Sequence, residues 1–228
     1  MRSKVFIICI IIYHSALSLF AQNKNDRFHE YGSERRGKIN MYIGPLAAFS
    51  YIGGSVTFNG GATGGVIINN KFFIGLYGQK LLTNVPRTDM AEIGYPTFTD
   101  GRIKMRHYGG VLGYIHNTDK VWNWGVGGSA GTGMIELAAK GPTNKYEDVI
   151  YDDKVIIVIP KLFVEMKMTS WFKVNMGAGF RILGMMNGVY KNQAGETKPT
   201  FKQSEYTKPE FSISLLFGAF RLQSYLLR

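Results

Sequence analysis

Cysteine is almost absent from this chain of 228 residues, since Cys9 is the single one and lies in a hydrophobic run near the N-terminus. One cysteine cannot form a disulfide framework, and the rest of the chain has no thiol nucleophile and no thiolate metal ligand. Phosphate-binding loops, dinucleotide fingerprints and zinc motifs are also missing. The sequence therefore predicts no cofactor and no metal site, and it lacks the motifs by which many enzymes are recognised.

Long hydrophobic runs are missing too, with one exception. Val5 to Phe20 is apolar, is preceded by Arg2 and Lys4, and is followed by Ala21 and a polar segment. A run of about 16 apolar residues after a short basic region is typical of a signal peptide and is short for a spanning helix. We predict a signal peptide over residues 1–21 and export of the rest.

Acidic residues are scarce, with 16 Asp and Glu against 27 Lys and Arg. Removal of Arg2 and Lys4 with the signal peptide lowers the formal net charge from +11 to +9. For an exported chain the phosphates of lipopolysaccharide are a more natural counter-charge than nucleic acid. Residues 22–38, polar and charged, are predicted to form a flexible periplasmic segment.

The clearest pattern is a period-two alternation from Val155 to Leu183, in two runs joined at Thr169–Ser170. The apolar set is Ile156, Val158, Pro160, Leu162, Val164, Met166, Met168, Phe172, Val174, Met176, Ala178, Phe180 and Ile182. The opposite set includes Lys161, Glu165, Lys167, Lys173, Asn175 and Arg181. Each run exceeds ten residues, longer than an ordinary soluble strand and long enough to cross a bilayer at a tilt. This predicts a transmembrane hairpin.

Similar strands are predicted along the rest of the chain, which gives eight in all. They are Ile39–Tyr51, Gly60–Ile68, Phe72–Leu82, Arg102–Ile115, Val121–Leu137, the two runs of the hairpin, and a last strand from Glu210. Short connections near Asn70, Asn117 and Thr169 alternate with longer ones near Ser55, Asp89, Lys145 and Ala194. Even strand number, short periplasmic turns and long extracellular loops are typical of outer-membrane barrels. The prediction is an all-β, eight-stranded antiparallel up-and-down transmembrane β-barrel over residues 39–228.

The polar face of the hairpin is predicted to point into the barrel. An eight-stranded barrel is just wide enough for its own side chains, so charges there must pair. We expect Lys161, Glu165, Lys167, Lys173, Asn175 and Arg181 to form a lumen polar network, with Glu165 near Lys173 and Asn175. A narrow ion path through the same residues is the alternative.

Aromatic residues cluster beside the short turns. They are Phe72, Tyr114, Trp122, Trp124, Trp171 and Phe172. Such rings favour the membrane–water interface, so these residues predict an aromatic girdle on the periplasmic side.

Catalytic and metal chemistry have few candidates. His107 lies early in a strand that descends from the outer leaflet, with Ser129 at a similar height on the next strand. The parity of His107 follows the apolar set and that of Ser129 the lumen, so the two are predicted to face apart, which a nucleophile and base cannot do. The acidic cluster Glu147, Asp148, Asp152 and Asp153 is predicted to be a solvated loop rather than a Ca²⁺ site, because it lacks the twelve-residue loop signature.

Several segments resemble a known group of proteins. The runs Val158–Glu165, Thr169–Phe172 and Gly177–Arg181 are similar to those of a large uncharacterised outer-membrane barrel family of Gram-negative bacteria, and the whole resembles OmpX and the membrane domain of OmpA. The resemblance implies the barrel but no activity. Many such barrels end in an aromatic residue used by the barrel-assembly machinery; this chain ends in Arg228, so Phe217 or Phe220 takes that role.

Function is predicted to reside in the extracellular loops. These contain aromatic residues that either anchor a partner or pack on one another: Tyr95, Phe98, Tyr146, Tyr151, Tyr190, Phe201 and Tyr206. We expect a monomeric, non-enzymatic barrel with a structural or surface-interaction role and an extracellular protein or glycan ligand. The alternatives are a narrow channel, a lipid-modifying enzyme, and a soluble barrel of the lipocalin type.

Overall fold

Eight long strands close into one barrel. The computed structural model describes residues 39–87, 101–116, 120–139, 148–184, 189–191, 197–199, 201 and 203–220, so the predicted signal peptide and periplasmic segment lie outside the described residues. The barrel strands are β1 (Ile39–Ile52), β2 (Ser55–Ile68), β3 (Phe72–Leu81), β5 (Gly101–His116), β6 (Trp122–Ala139), β7 (Asp148–Lys167), β8 (Phe172–Gly184) and β11 (Lys208–Gly218). The shorter elements are β4 (Val85–Arg87), β9 (Val189–Lys191), β10 (Thr197–Pro199) and the one-turn helix α1 (Gln203–Tyr206).

The strands follow one another around the barrel in chain order, each antiparallel to its neighbours. The β1–β11 and β3–β5 pairings complete the ring, and β4 extends the β5 edge above the end of β3. The predicted eight-stranded up-and-down barrel is therefore confirmed. No helix among the described residues is long and apolar enough to cross a membrane.

The register of the strands fixes the width of the barrel. Register partners followed once around the ring from Ile67 of β2 return to β2 at Thr57, ten residues away. Eight strands with this stagger tilt by about 40° and enclose a backbone cylinder of radius about 8 Å. Such a bore holds side chains and little else.

The outer surface is hydrophobic over a band that matches a bilayer. Outward side chains on β1, β2, β8 and β11 carry no charge. On β5 the outward residues between His116 and Arg106 are also uncharged. Ten residues at about 3.4 Å each and a 40° tilt rise by roughly 25 Å, the height of the apolar band of outer-membrane barrels. Lipid rather than water is therefore the solvent for this face.

The first connection is shorter than predicted. A loop from Gly53 to Asn59 was expected, yet β2 begins at Ser55 and pairs with β1 at once, so that prediction was wrong. Gly53 and Gly54 alone make the turn, with φ of 55° and 81°. A two-residue hairpin turn needs positive φ at both positions, and a glycine pair supplies this without strain.

Two other predicted loops contain regular structure. The segment from Ala138 to Asp153 has strand at both of its ends, because β6 continues to Ala139 and β7 begins at Asp148, with a register shift between Leu137 and Ala138. The segment between β8 and β11 contains β9, β10 and α1. Strands β5, β6 and β7 are therefore taller than the rest and extend beyond the apolar band.

Paired glycines bring strands into close contact on the inner wall. A Cβ atom on Gly109 would lie well within 3.0 Å of the backbone oxygen of Ala130, and one on its partner Gly131 would lie equally close to the oxygen of Tyr108. The outward-facing neighbour Gly110 has no such contact, since its nearest atom would be 3.8 Å away. Only glycine fits at the two inner positions.

Candidate functional site

A hydrophobic cluster fills the barrel at the end with the long connections. Its fully buried members include Ile135, Leu137, Ile157 and Leu183. The other members are Ile52, Leu81, Val85, Ile103, Met105, Val155, Ile159, Phe201 and Tyr206, and Tyr151 packs against them. We name this set the upper seal. Its members are all hydrophobic, so this layer of the lumen is mainly apolar, with the buried carboxylate of Asp153, the register partner of Ile135, beside it on the inner wall.

The aromatic residues Phe201 and Tyr206, in the connection between β8 and β11, are part of this seal. Phe201 packs edge-on against Tyr206, with ring centroids 5.9 Å apart, and lies 5.7 Å from the ring of Tyr151. These three loop aromatics therefore pack on one another. Tyr95, Phe98 and Tyr146 lie outside the described residues, and the side chain of Tyr190 is likewise not described.

A second hydrophobic cluster closes the opposite end. It consists of Tyr42, Ile67, Ile115, Phe163, Leu216 and Phe220, with Phe73 packed against it. The chain passes over this mouth after β11, where the backbone N–H of Phe220 donates to the Ser170 oxygen at 2.6 Å. We name this set the lower seal.

Charged residues occupy the lumen near and between the seals. Lys173 Nζ lies 3.4 Å from Glu165 Oε2, and Asn175 Nδ2 donates to Glu165 Oε1 at 3.3 Å. The Lys173 ammonium also lies 4.3 Å from the centroid of the Phe220 ring. Glu165 and Lys173 are both buried. The geometry brings together the three residues that the hairpin pattern placed near one another.

Arg181 is the centre of a second group, just below the upper seal. Its side chain is 0% exposed and lies 3.5 Å from Glu210 Oε2. The guanidinium donates to Ser50 Oγ and to the Tyr206 carbonyl, each at 3.1 Å, and to the Tyr51 carbonyl at 3.4 Å. A buried arginine with this many acceptors links β8 to β11, to β1 and to the segment that connects β8 with β11. The sequence predicted an inward Arg181 but not Glu210 as its partner.

Lys161 lies between the two groups. It lines a cavity of about 30 Å³ with Glu165 and Asn175, and a neighbouring cavity of about 20 Å³ with Glu210. Each has room for one or two water molecules. The lumen charges thus alternate in sign from Lys173 to Arg181. Lys167 has the same parity but lies at the lower end of β7, where Lys173 is its register partner.

The predicted orientation of His107 was wrong. His107 is 1% exposed, and its Nδ1 lies 3.2 Å from Tyr77 Oη inside the barrel. The error arose because the inner face of β5 is apolar along most of its length, at Met105, Val111 and Ile115, whereas its outward residues are charged only above the apolar band. The apolar parity of upper β5 therefore marks the interior, not lipid.

His107 and Ser129 consequently share the lumen, but they are not opposite each other in the register of β5 and β6. Ser129 is the register partner of Val111, whereas His107 pairs with Gly133, four residues along β6. Both Tyr77 and Ser129 line the smaller cavity, which lies between the seals. A substrate would have to pass one of the apolar seals to reach it.

The acidic cluster is divided between wall and lumen. Asp148 is the first residue of β7, Asp152 is exposed, and Asp153 is buried on the inner side. Glu147 lies outside the described residues. No group of three His, Cys, Asp or Glu residues is placed to hold a metal ion within the described part of the chain.

The predicted girdle residues lie on the outer surface at the end with short turns. Phe72 and Tyr114 have ring centroids 5.2 Å apart, and Trp122, Trp124 and Trp171 are each about half exposed. Phe172 stacks on Phe217, which the sequence had not grouped with it, at 5.2 Å. The rings share one end of the outer surface, and their role as an interfacial girdle remains a prediction.

Basic residues form a column on the outer wall above the apolar band. Arg102, Lys104 and Arg106 are successive outward residues of β5, and Lys80 of β3 is the register partner of Arg106. Arg106 keeps 62% of its side chain exposed while pairing with Glu136 at 2.9 Å. We name Lys80, Arg102, Lys104 and Arg106 the basic column. The shared parity of the three β5 residues was visible in the sequence, whereas their height above the band was not.

Comparison with known proteins supports the fold. No protein-family profile and no curated protein matches the chain. A major outer membrane protein from Thermus thermophilus aligns with a TM-score of 0.51 and 6% identity, over 79% of this chain and 99% of the other. Neisserial surface protein A aligns at 0.47 with 10% identity, over 82% and 99%. Ail, the attachment invasion locus protein of Yersinia pestis, in complex with sucrose octasulfate, aligns at 0.41 with 11% identity, over 81% and 98%.

The likeness to the Thermus protein concerns the fold alone. The closed ring of eight strands and the uncharged outer band indicate a barrel whose outer surface lies in lipid. The chain is an eight-stranded transmembrane β-barrel of the outer membrane.

Proposed function

We propose that the protein is a non-enzymatic barrel that acts through its extracellular surface and conducts nothing through its lumen. The observation that supports this is the order of the side-chain layers along the lumen, with an apolar seal at each end and paired charges between the two seals. Ions crossing an apolar constriction lose their hydration without compensation. A substrate would meet the same barriers on the way to His107.

The orientation follows from the other connections, because the long ones after β3, β6 and β8 lie at the same end as the two-residue turn at Gly53–Gly54, and the opposite end has short turns alone. Short turns of outer-membrane barrels are periplasmic. The tall strands β5–β7, the basic column and the upper mouth then face outwards. We propose lipopolysaccharide phosphates as partners of the basic column, because it begins where the apolar band ends. The barrel is monomeric in this proposal, and the aromatic residues at the end of β11 serve recognition by the assembly machinery.

Conductance recording tests the closed lumen. The purified protein, inserted into planar bilayers, is expected to give no stable current steps, while a general porin in the same bilayers does. Residual leakage that varies between preparations would reflect the detergent rather than the protein. Reproducible single-channel steps that scale with protein concentration would replace this proposal with the narrow-channel alternative.

Lipopolysaccharide binding tests the basic column. Added lipopolysaccharide is expected to raise the midpoint of heat-induced unfolding of the wild type by several degrees, because a ligand that binds only the folded state stabilises it. The triple variant R102Q/K104Q/R106Q should lose at least half of that rise, and roughly 0.5 M salt should weaken it in the wild type. The matched control K71Q/K120Q, at the periplasmic end, should keep the full rise. An equal rise in both variants would refute the column as the phosphate site.

A further inference from the structure

A wide cleft opens at the extracellular mouth. Its volume is about 420 Å³, and it lies between the Gly53–Gly54 turn, β4 and the segment that leads from α1 into β11. A cleft of this size accommodates a small organic ligand such as one or two sugar rings. It lies above the upper seal, so a ligand can enter it without passing through the lumen.

One wall of this mouth cleft is held by backbone and side-chain hydrogen bonds. The N–H groups of Leu82 and Thr83 both donate to the Phe58 oxygen, at 2.9 and 3.3 Å. The Phe58 N–H in turn donates to Thr83 Oγ1 at 2.7 Å. These bonds fix the bend from β3 into β4, and with it the position of Arg87. The wall is therefore formed before any ligand arrives.

The opposite wall is fixed in the same way. The Leu183 N–H donates to Thr207 Oγ1 at 3.3 Å, and Gln203 Nε2 donates to the Leu183 oxygen. The Thr207 N–H closes the turn of α1 on the Gln203 oxygen at 3.0 Å. Tyr206, between them, is fully buried in the upper seal. Ser204 and Glu205 are thus presented on a short rigid turn.

The lining of the mouth cleft combines an apolar floor with charged edges. Val85 and Ile103 form the floor and are themselves buried in the upper seal. Arg87, Lys208 and Glu205 stand at the edges, which gives two cations against one carboxylate. The Arg87 guanidinium lies over the Phe201 ring, 5.7 Å from its centroid, which orients its plane. An anionic ligand with an apolar face fits this combination.

The glycine turn leaves the remaining edge open. A Cβ atom at Gly53 or Gly54 would meet nothing within 4 Å. A ligand can therefore approach the backbone of this turn closely, as glycine loops at binding sites allow.

We infer that the mouth cleft binds a carboxylated saccharide, which rests on the proposed role of the extracellular surface and names its ligand class. A sugar ring has a C–H face for the apolar floor and hydroxyl groups for Ser204 and Glu205. Its carboxylate pairs with the guanidinium of Arg87, whose fork matches two carboxylate oxygens, and with the ammonium of Lys208. Glu205 selects against ligands of higher negative charge.

Saturation-transfer NMR in detergent micelles tests this inference. Glucuronic acid and N-acetylneuraminic acid are the probes, and glucose is the uncharged comparison. The wild type is expected to bind an acidic sugar at least about tenfold more tightly than glucose, because the charge-assisted hydrogen bonds that glucose lacks carry most of the recognition. R87Q is expected to lose at least about tenfold in affinity for the same reason. K71Q, which removes an exposed cation at the periplasmic end, should bind as the wild type does.

Each outcome supports or overturns the inference. Equal affinity for glucose and the acids would overturn the role of the carboxylate, and unchanged binding by R87Q and by K208Q would place the ligand elsewhere. R87Q protein that does not fold would be recognised by its gel mobility before and after heating, and K208Q then carries the test. No binding of either acid by the wild type overturns the inference. The lipopolysaccharide and conductance experiments would still support the proposed function in that case.

Discussion

Replacing Arg181 with methionine will lower the free energy of unfolding by about 3–5 kcal/mol, because it leaves the Glu210 carboxylate buried without its cation. The methionine has a similar length but makes none of the bonds to Ser50, Tyr51 and Tyr206. Urea unfolding in detergent, followed by tryptophan fluorescence, measures the change.

Two variants make this result interpretable. R106M removes an arginine that is 62% exposed and paired at the surface, and should cost at most about 1 kcal/mol. The double variant R181M/E210Q removes both buried charges and should recover a substantial part of the stability. If R181M and R106M unfold at the same urea concentration, the buried pair does not hold the barrel together.

Replacing Gly109 with alanine will cost about 3 kcal/mol or more, or will prevent assembly of the barrel altogether. The added methyl would overlap the backbone oxygen of Ala130, and a backbone atom in a hydrogen-bonded strand cannot move aside as a side chain can. Heat-dependent gel mobility of the outer-membrane fraction, together with the yield of folded protein, measures the effect.

The adjacent glycine provides the control. Gly110 faces outwards, and its Cβ would lie 3.8 Å from the nearest atom, so G110A should fold and unfold as the wild type does within about 0.5 kcal/mol. Equal stability of G109A and G110A would show that the strands separate easily at this point. Failure of both would point to backbone flexibility rather than close approach as the requirement.

The hairpin from β7 to β8 was predictable because lipid and lumen impose opposite demands on neighbouring residues. Lys161, Glu165 and Lys173 alternate with uninterrupted apolar positions, so the period of two is unmistakable. Strand β2 carries no such contrast, since glycines occupy both of its faces, and its start at Ser55 was missed. The glycine pair Gly53–Gly54 was the available signal for a two-residue turn.

The interior contacts depend on pairing between strands that a single sequence does not reveal. Arg181 and Glu210 meet because β8 and β11 are neighbours with one particular register. Tyr77 meets His107 for the same reason across β3 and β5. The upper seal was missed because Phe201 and Tyr206 lie in a polar segment that has no periodicity. Their burial follows from the shape of the mouth that they fill.

The change of the outward residues of β5 from apolar to charged at Arg106 has a mechanical consequence. The outward side chains of this strand are uncharged below Arg106 and charged from Arg106 upwards. Any displacement of the barrel along the membrane normal would therefore place charges in lipid or apolar side chains in water. Such a molecule cannot slide through a bilayer to suit its thickness. The side chains of the strands therefore fix the depth of the barrel in the membrane. The same strands set the height of the mouth cleft above the membrane surface.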